Sequence, residues 1–194
     1  MQIKLTDKDV LIIVDVQNDF LPGGRLAVSG GDQIIPALNQ YIGVFSAKRL
    51  LICVSRDWHP VNHCSFIPYG GRWPVHCVAG SSGARFPKNL ELPPDVHIIS
   101  KATLPDKEAY SAFSETQLYP LLQAFHVERV FLGGLATEFC VLNTVKDAIQ
   151  NRFTAFVLED AICAINQQPG DGLQAIADMK HHGARFICFK EIVI

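Results

Sequence analysis

Long apolar runs and an excess of either charge sign are both missing from this sequence. No run approaches the length needed to cross a membrane. The chain has 17 basic and 19 acidic side chains, a net charge of −2, which argues against nucleic acid as a partner. The N-terminal segment also lacks the long apolar region and the small-residue cleavage site of a signal peptide. We therefore expect a cytoplasmic protein that binds neither membrane nor nucleic acid.

Two motifs that would assign other functions are absent as well. The six cysteines form no C-x-x-C pair, which disfavours a structural zinc site and, without an export signal, indicates free thiols. No G-x-G-x-x-G follows the first apolar run, which argues against a dinucleotide-binding oxidoreductase. There is no linker, repeat or low-complexity segment, so we predict a single domain over residues 1–194.

Short β-branched runs alternate along the chain with longer helical patterns. The runs are 10–14, 50–54, 96–99, 130–132, 154–158 and 186–189, and the helical patterns are 32–48, 114–125, 137–151 and 172–182. This alternation predicts an α/β fold with three layers, α/β/α, around a mostly parallel, doubly wound sheet of about six strands. Near-continuous apolar strands fit a sheet that is covered on both faces.

Reactive side chains follow four of these predicted strands. Asp15 follows the first, Asp57 and His59 the second, Lys101 the third and Cys140 the fourth. In open parallel sheets, ligands bind beyond the carboxyl ends of the strands. We therefore expect an acid, a metal-type pair, a lysine and a cysteine to meet at one edge of the sheet.

Cys140 is the candidate nucleophile. Thr137, a residue type that favours the N-cap, precedes it by three positions, so we predict that Cys140 lies in the first turn of a helix. Backbone N–H groups there stabilise a thiolate and can hold an oxyanion. A lone cysteine is more often an inert core residue, an acid after a strand more often caps a turn, and a lysine is more often solvated. Their shared edge favours a base, Asp15, and a cation, Lys101, beside the thiol.

Asp57, His59 and His76 are the candidate metal ligands. Residues two apart in an extended segment point to one side, so Asp57 and His59 can face one ion, and His76 follows in a Pro-containing loop. Two imidazoles and a carboxylate leave coordination positions open, as in catalytic zinc sites, although iron and manganese accept the same ligands. The alternative is that these residues cap a loop and pack in the core.

Two aromatic residues stand next to turn residues beside this chemistry. Phe20 and Trp73 adjoin glycine or proline turns, and we predict that both line a flat pocket for a small-molecule substrate. A non-enzymatic metal-binding protein is the alternative from another class. It would account for the metal-type residues but not for the thiol, the acid and the lysine at the same edge.

Several long motifs in register resemble the nicotinamidase (pyrazinamidase) branch of the isochorismatase-like cysteine hydrolases. They are DVQNDFLPGG at 15–24, RDWHPVNHCSF at 56–66, WPVHCVAGSSGA at 73–84, Lys101, and GLATEFCV at 134–141. The resemblance implies that Asp15, Lys101 and Cys140 form a catalytic triad and that Asp57, His59 and His76 bind a divalent metal. It also implies an oxyanion hole from the N–H groups of Ala136 and Cys140, a cis peptide before Ala136, and substrate contacts from Phe20 and Trp73.

The implied activity is hydrolysis of nicotinamide to nicotinate and ammonia, a step of NAD salvage, through a thioester on Cys140. The metal would seat the substrate by binding its ring nitrogen. A sister hydrolase acting on another amide or a ureido group remains the alternative. Ala102 departs from the family, which often has glycine there, and His63 matches a histidine that some relatives place at the metal. Metal identity, activity on pyrazinamide and oligomeric state, a homo-oligomer included, stay open.

Overall fold

Six parallel strands form the central sheet of the structure, a computed structural model that describes residues 2–193. In chain order the strands are β1 (Ile3–Lys4), β2 (Asp9–Val14), β3 (Leu51–Asp57), β4 (His97–Lys101), β5 (Arg129–Leu135), β6 (Thr154–Cys163), β7 (Arg185–Ile187) and β8 (Ile192–Val193). The central sheet has the order β4-β3-β2-β5-β6-β7, and every neighbouring pair in it is parallel. β1 and β8 pair separately.

Helices cover both faces of this sheet. They are α1 (Ile35–Ala47), α2 (Leu118–Ala124), α3 (Leu142–Gln150) and α4 (Asp171–His181). On one face, α1 packs Leu38 and Phe45 into a core with Leu11 of β2. On the other, the apolar residues of α2, α3 and α4 share a core with Ile12 and Val10 of the same strand. Alternate residues of one strand thus enter opposite cores, which confirms the predicted three-layer α/β/α fold.

The winding of the chain reverses between β2 and β5. From β2 the chain proceeds outward through β3 to β4, and from β5 it proceeds the other way through β6 to β7. This is a topological switch point, where the ends of neighbouring strands open a crevice in doubly wound sheets. Every residue of β2 is buried, so the side chains that follow it are held on a rigid base.

Several boundaries differ from the sequence prediction. β3 and β4 extend to Asp57 and Lys101, so these residues end their strands instead of following them. The helix predicted over 114–125 begins only at Leu118, because Glu115 adopts a left-handed φ of 56° and the hydroxyl of Thr116 accepts the N–H of Leu118. The predicted 137–151 helix divides into a π-helical turn, Thr137–Val141, and α3. Among the residues described, no helix has the length and apolarity to span a bilayer.

Candidate active site

The strand ends place Asp15, Lys101 and Cys140 together. Asp15 follows β2, Lys101 ends β4 and Cys140 lies in the turn after β5; all three are buried. Lys101 Nζ is 2.9 Å from Asp15 Oδ2 and 3.5 Å from Cys140 Sγ. A carboxylate, an ammonium and a thiol therefore share one small buried space.

Lys101 also joins this group to the candidate metal ligands. Its Nζ donates to Asp57 Oδ1 at 2.5 Å and to the carbonyl of Ala109 at 3.0 Å. Burial alone would lower the pKa of Lys101, but the carboxylates of Asp15 and Asp57 raise it well above its usual value. The ammonium therefore stays charged, since it neutralises two buried acids.

Replacing Lys101 with methionine is expected to lower the free energy of unfolding by about 3–5 kcal/mol, because it leaves two buried carboxylates without their cation. Chemical denaturation of the variant measures this loss. Lys107→Met is the control, because Lys107 pairs with Glu115 on the surface and should cost little. Equal stability of Lys101→Met and the wild type would contradict the charge assignment.

Burial raises the pKa of the Cys140 thiol well above its usual value, against the opposing effect of Lys101. The thiol is therefore protonated in the ligand-free protein and needs a base. Asp15 is within reach, since one donor atom each of Asp15, Asp57 and Cys140 lies within 4.8 Å of the others. Burial raises the pKa of Asp15 as well, against the pull of Lys101, and Ser55 Oγ orients this carboxyl by donating to Oδ1 at 2.7 Å.

The turn that carries Cys140 differs from the predicted helix start. Ala136 occupies the N-cap position and Thr137 is the first residue of the turn, so the prediction of a Thr137 cap is wrong. The N–H groups of Phe139 and Val141 both donate to the carbonyl of Ala136. The peptide before Ala136 is cis, as the resemblance implies. Gly134 has a φ of 134°, and a Cβ there would lie 2.0 Å from the carbonyl oxygen of Val14, so only glycine fits this close approach of β5 to β2.

Asp57, His59 and His76 form a second cluster, in which one donor atom from each lies within 4.8 Å of the others. His59 Nδ1 donates to the carbonyl of Ala102 at 3.3 Å, and His76 Nδ1 donates to that of Pro74 at 2.8 Å. These bonds orient each ring so that Nε2 faces Asp57 Oδ2, at 3.5 Å for His59 and 3.9 Å for His76. Among residues 2–193, the buried His59 Nε2 has no hydrogen-bond partner. Two oriented imidazoles and a carboxylate fit a divalent metal ion.

Ala102 lies in the left-handed region with a φ of 51°, a conformation that favours glycine. The turn brings the carbonyl of Ala102 to His59, so the residue after Lys101 serves the metal cluster.

His63 does not belong to the cluster of candidate ligands. Its Nε2 donates to the carbonyl of Lys107 at 2.9 Å, and its Nδ1 accepts from Ser65, whose Oγ is 2.7 Å away. Both ring nitrogens are therefore engaged. The centroid of the His63 ring lies 4.3 Å from that of the His59 ring, so the two rings pack against each other.

Sequence reasoning missed two residues that orient the site. The side chain of Gln17 makes two hydrogen bonds to the main chain of Asp57. Gln17 Oε1 accepts the N–H of Asp57 at 2.7 Å, and Gln17 Nε2 donates to the carbonyl of Asp57 at 2.8 Å. Ser55 orients Asp15 from the neighbouring strand. The position of Gln17 just after a predicted strand could have indicated a role in the site. Ser55 lies inside β3, and its role depends on the register between strands.

One pocket brings Cys140 and the candidate metal ligands together. Phe20 and Trp73, the predicted aromatic residues, line it together with Cys140, Ala136 and the candidate metal ligands. The ring of Phe20 lies 5.5 Å from that of His76. Trp73 is fixed by a hydrogen bond from Nε1 to the hydroxyl of Tyr110 at 3.0 Å. A thiol, the candidate metal ligands and flat apolar walls therefore face one small pocket.

The fold and the pocket define an α/β protein with a cysteine-based site beside a metal-type cluster. Residues 9–191 match the isochorismatase domain, and the chain belongs to that family. It is 36% identical to nicotinamidase from Acinetobacter baylyi, with 100% of this chain and 99% of the relative covered.

Two solved structures are also similar. Pyrazinamidase of Pyrococcus horikoshii in complex with zinc is 48% identical with a TM-score of 0.90, covering 94% of this chain and 99% of that one. PnC1 from L. infantum in complex with nicotinate is 34% identical with a TM-score of 0.86, covering 100% and 99%. The likeness therefore extends over nearly the whole chain.

Proposed function

We propose that this protein is a nicotinamide deamidase, which hydrolyses nicotinamide to nicotinate and ammonia in NAD salvage. The observation that carries the proposal is the single pocket shared by Cys140, the candidate metal ligands and two aromatic walls. Full-length likeness to a nicotinamidase and to a nicotinate complex supports the same substrate class.

Cys140 is the nucleophile in this mechanism. Asp15 takes the thiol proton, and the sulfur attacks the carboxamide carbon. The N–H groups of Ala136 and Cys140 hold the oxyanion. Asp15 gives this proton to the leaving nitrogen, so that ammonia departs and a thioester remains on Cys140. Asp15 then acts as the base for the water that hydrolyses the thioester. Lys101 stabilises the thiolate and holds Asp15 in place through their 2.9 Å ion pair.

Asp57, His59 and His76 hold a divalent ion in this proposal. Zinc is the first choice, since the Pyrococcus horikoshii pyrazinamidase is a zinc complex and the ligands suit it, while iron and manganese are the alternatives. The ion would supply a coordination position for the ring nitrogen. Phe20 and Trp73 enclose the substrate ring and thereby position the carboxamide next to Cys140.

Ammonia release from nicotinamide by the purified protein, with and without a chelator, tests the proposal. We expect turnover that is lost on chelation and restored by added zinc. No turnover by the metal-loaded protein would contradict it. The alternative hydrolase, acting on another amide or a ureido group, would need Asp15, Lys101 and Cys140 but no metal cluster, so it would be insensitive to the chelator.

Replacing Asp15 with asparagine should lower kcat by several orders of magnitude, since general acid–base catalysis alone contributes roughly 10²–10⁴-fold. Ser55→Ala should cause a smaller loss, because the carboxyl remains but loses its 2.7 Å hydrogen bond. Asp7→Asn, at an exposed position, is the control and should match the wild type. Steady-state ammonia release measures all three, and a folded Asp15→Asn variant with normal kcat would exclude Asp15 as the base.

A further inference from the structure

One wall of the pocket comes from a segment that the mechanism does not use. Residues 164–170 connect β6 to α4, and within them Ile165 lines the pocket together with Cys140. The half-buried side chain of Ile165 packs against the core that contains Phe20 and Val28. The position of this segment therefore sets part of the space that a substrate ring can occupy.

A single carboxylate ties this wall to the turn that carries the nucleophile. Glu138 Oε2 accepts the N–H of Ile165 at 3.2 Å, and Oε1 accepts the N–H of Asn166 at 2.5 Å. Glu138 lies two residues before Cys140, in the same π-helical turn. Hydrogen bonds to a carboxylate are stronger than those between neutral groups, so the turn and the wall are held at a fixed spacing.

The far end of the segment is held by separate contacts. Asp171 Oδ2 accepts the N–H of Gln168 at 2.8 Å, and Asn166 Oδ1 accepts that of Gly172 at 3.0 Å. These bonds fasten the segment to the start of α4, one at Gln168 and the other through the side chain of Asn166. Asp171 therefore offers a matched comparison, because it is a carboxylate that accepts a backbone N–H of the same segment outside the pocket wall.

We propose that Glu138 is a positioning residue that fixes Ile165 in the pocket wall and thereby restricts the enzyme to amides of a single six-membered ring. The inference rests on the proposed function and deepens it. Glu138 touches neither substrate nor Cys140 Sγ in this role and acts only through the main chain of Ile165. Loss of its carboxylate leaves two N–H groups unpaired and lets the wall move outward, which admits a larger ring.

The test compares nicotinamide with quinoline-3-carboxamide, which keeps the ring nitrogen and the carboxamide but adds a fused ring. The readout is the ratio of kcat/KM for the larger amide to that for nicotinamide. Ile165→Ala should raise this ratio roughly 10-fold or more, the scale of discrimination by a few methylene groups. Glu138→Ala should raise it in the same direction, and Glu138→Gln, which keeps one acceptor oxygen, should fall between. Asp171→Ala should leave the ratio at the wild-type value.

A second readout is independent of the reaction. The rate of Cys140 alkylation by iodoacetamide is compared with that by the bulkier N-phenyl iodoacetamide, each followed at the Cys140 peptide by mass spectrometry. Widening of the pocket should favour the bulkier reagent in Ile165→Ala and Glu138→Ala but not in Asp171→Ala.

The outcomes separate the two proposals. If Ile165→Ala shifts both readouts and Glu138→Ala and Glu138→Gln shift neither, Glu138 is not the positioning residue. If Ile165→Ala shifts neither, Ile165 does not limit the pocket, and the inference fails. If the wild type releases no ammonia from nicotinamide, the proposed function fails, while the alkylation rates still decide the role of Glu138.

Discussion

Replacing Cys140 with alanine is expected to abolish ammonia release from nicotinamide while the chain folds and binds metal normally. The side chain is small, so replacing it with alanine removes the attacking atom with little effect on the core in which Cys140 packs. Removal of the nucleophile of a hydrolytic triad costs about 10⁶-fold in kcat. Cys140→Ser should keep at most a trace of activity, because a hydroxyl beside a carboxylate is a much weaker nucleophile than a thiol.

A cysteine at the end of a neighbouring strand supplies the control for this prediction. Cys163 ends β6, and its Sγ lies 3.5 Å from the carbonyl of Ser29, outside the pocket that holds Cys140. Cys163→Ala should retain wild-type turnover. Intact-mass measurement of rapidly quenched wild-type enzyme should detect a nicotinoyl adduct that is missing from Cys140→Ala. Normal turnover by a folded Cys140→Ala variant would end the covalent mechanism.

The sheet could be predicted because its information is local. Six apolar runs identified the six central strands, since a strand covered on both faces must be apolar along its length. β1 and β8 were not predicted, because two residues each are too few to produce a pattern. The predicted parallel topology placed Asp15 and Cys140 at one edge of the sheet before any distance was known.

The contacts that tune the site could not be predicted, because they depend on strand register and loop paths. Lys101 was expected beside the thiol, but its 2.5 Å contact with Asp57, which joins the two clusters, needs the pairing of β3 with β4. The turn around Cys140 looked like an ordinary helix start with Thr137 as its cap. In the π-helical turn the N–H of Val141 bonds to the carbonyl of Ala136, five residues earlier, and this arrangement leaves no sequence signal.

The assignment of roles to these residues stays a proposal, and so do the single domain over residues 1–194 and the cytoplasmic location. The structure supplies the geometry on which the roles depend. Gln17 is the example with the most direct consequence, because it holds both the N–H and the carbonyl of Asp57. A displacement of Asp57 would therefore disturb the metal cluster and the Lys101 ion pair together.

Removal of the metal should stop nicotinamide turnover and leave Cys140 reactive toward iodoacetamide. The reason is the division of donors on Asp57: Oδ2 faces His59 and His76, whereas Oδ1 belongs to Lys101 beside the thiol. If the ion seats the ring nitrogen, its loss removes positioning and not the nucleophile. His59→Ala should reproduce both effects of the chelator. Benzamide, which has the ring and carboxamide but no ring nitrogen, should be a poor substrate even for metal-loaded enzyme.

The competing role for the ion is activation of water for thioester hydrolysis. In that case metal-free enzyme would still release a first equivalent of ammonia and then stall as the thioester. Rapid-mixing measurement of the first equivalent distinguishes the two roles, with Cys140→Ala as the blank. We expect no burst from metal-free protein and a restored burst on adding zinc. A full burst from metal-free protein would refute substrate seating, because nicotinamide would then react with Cys140 as fast without the ion as with it.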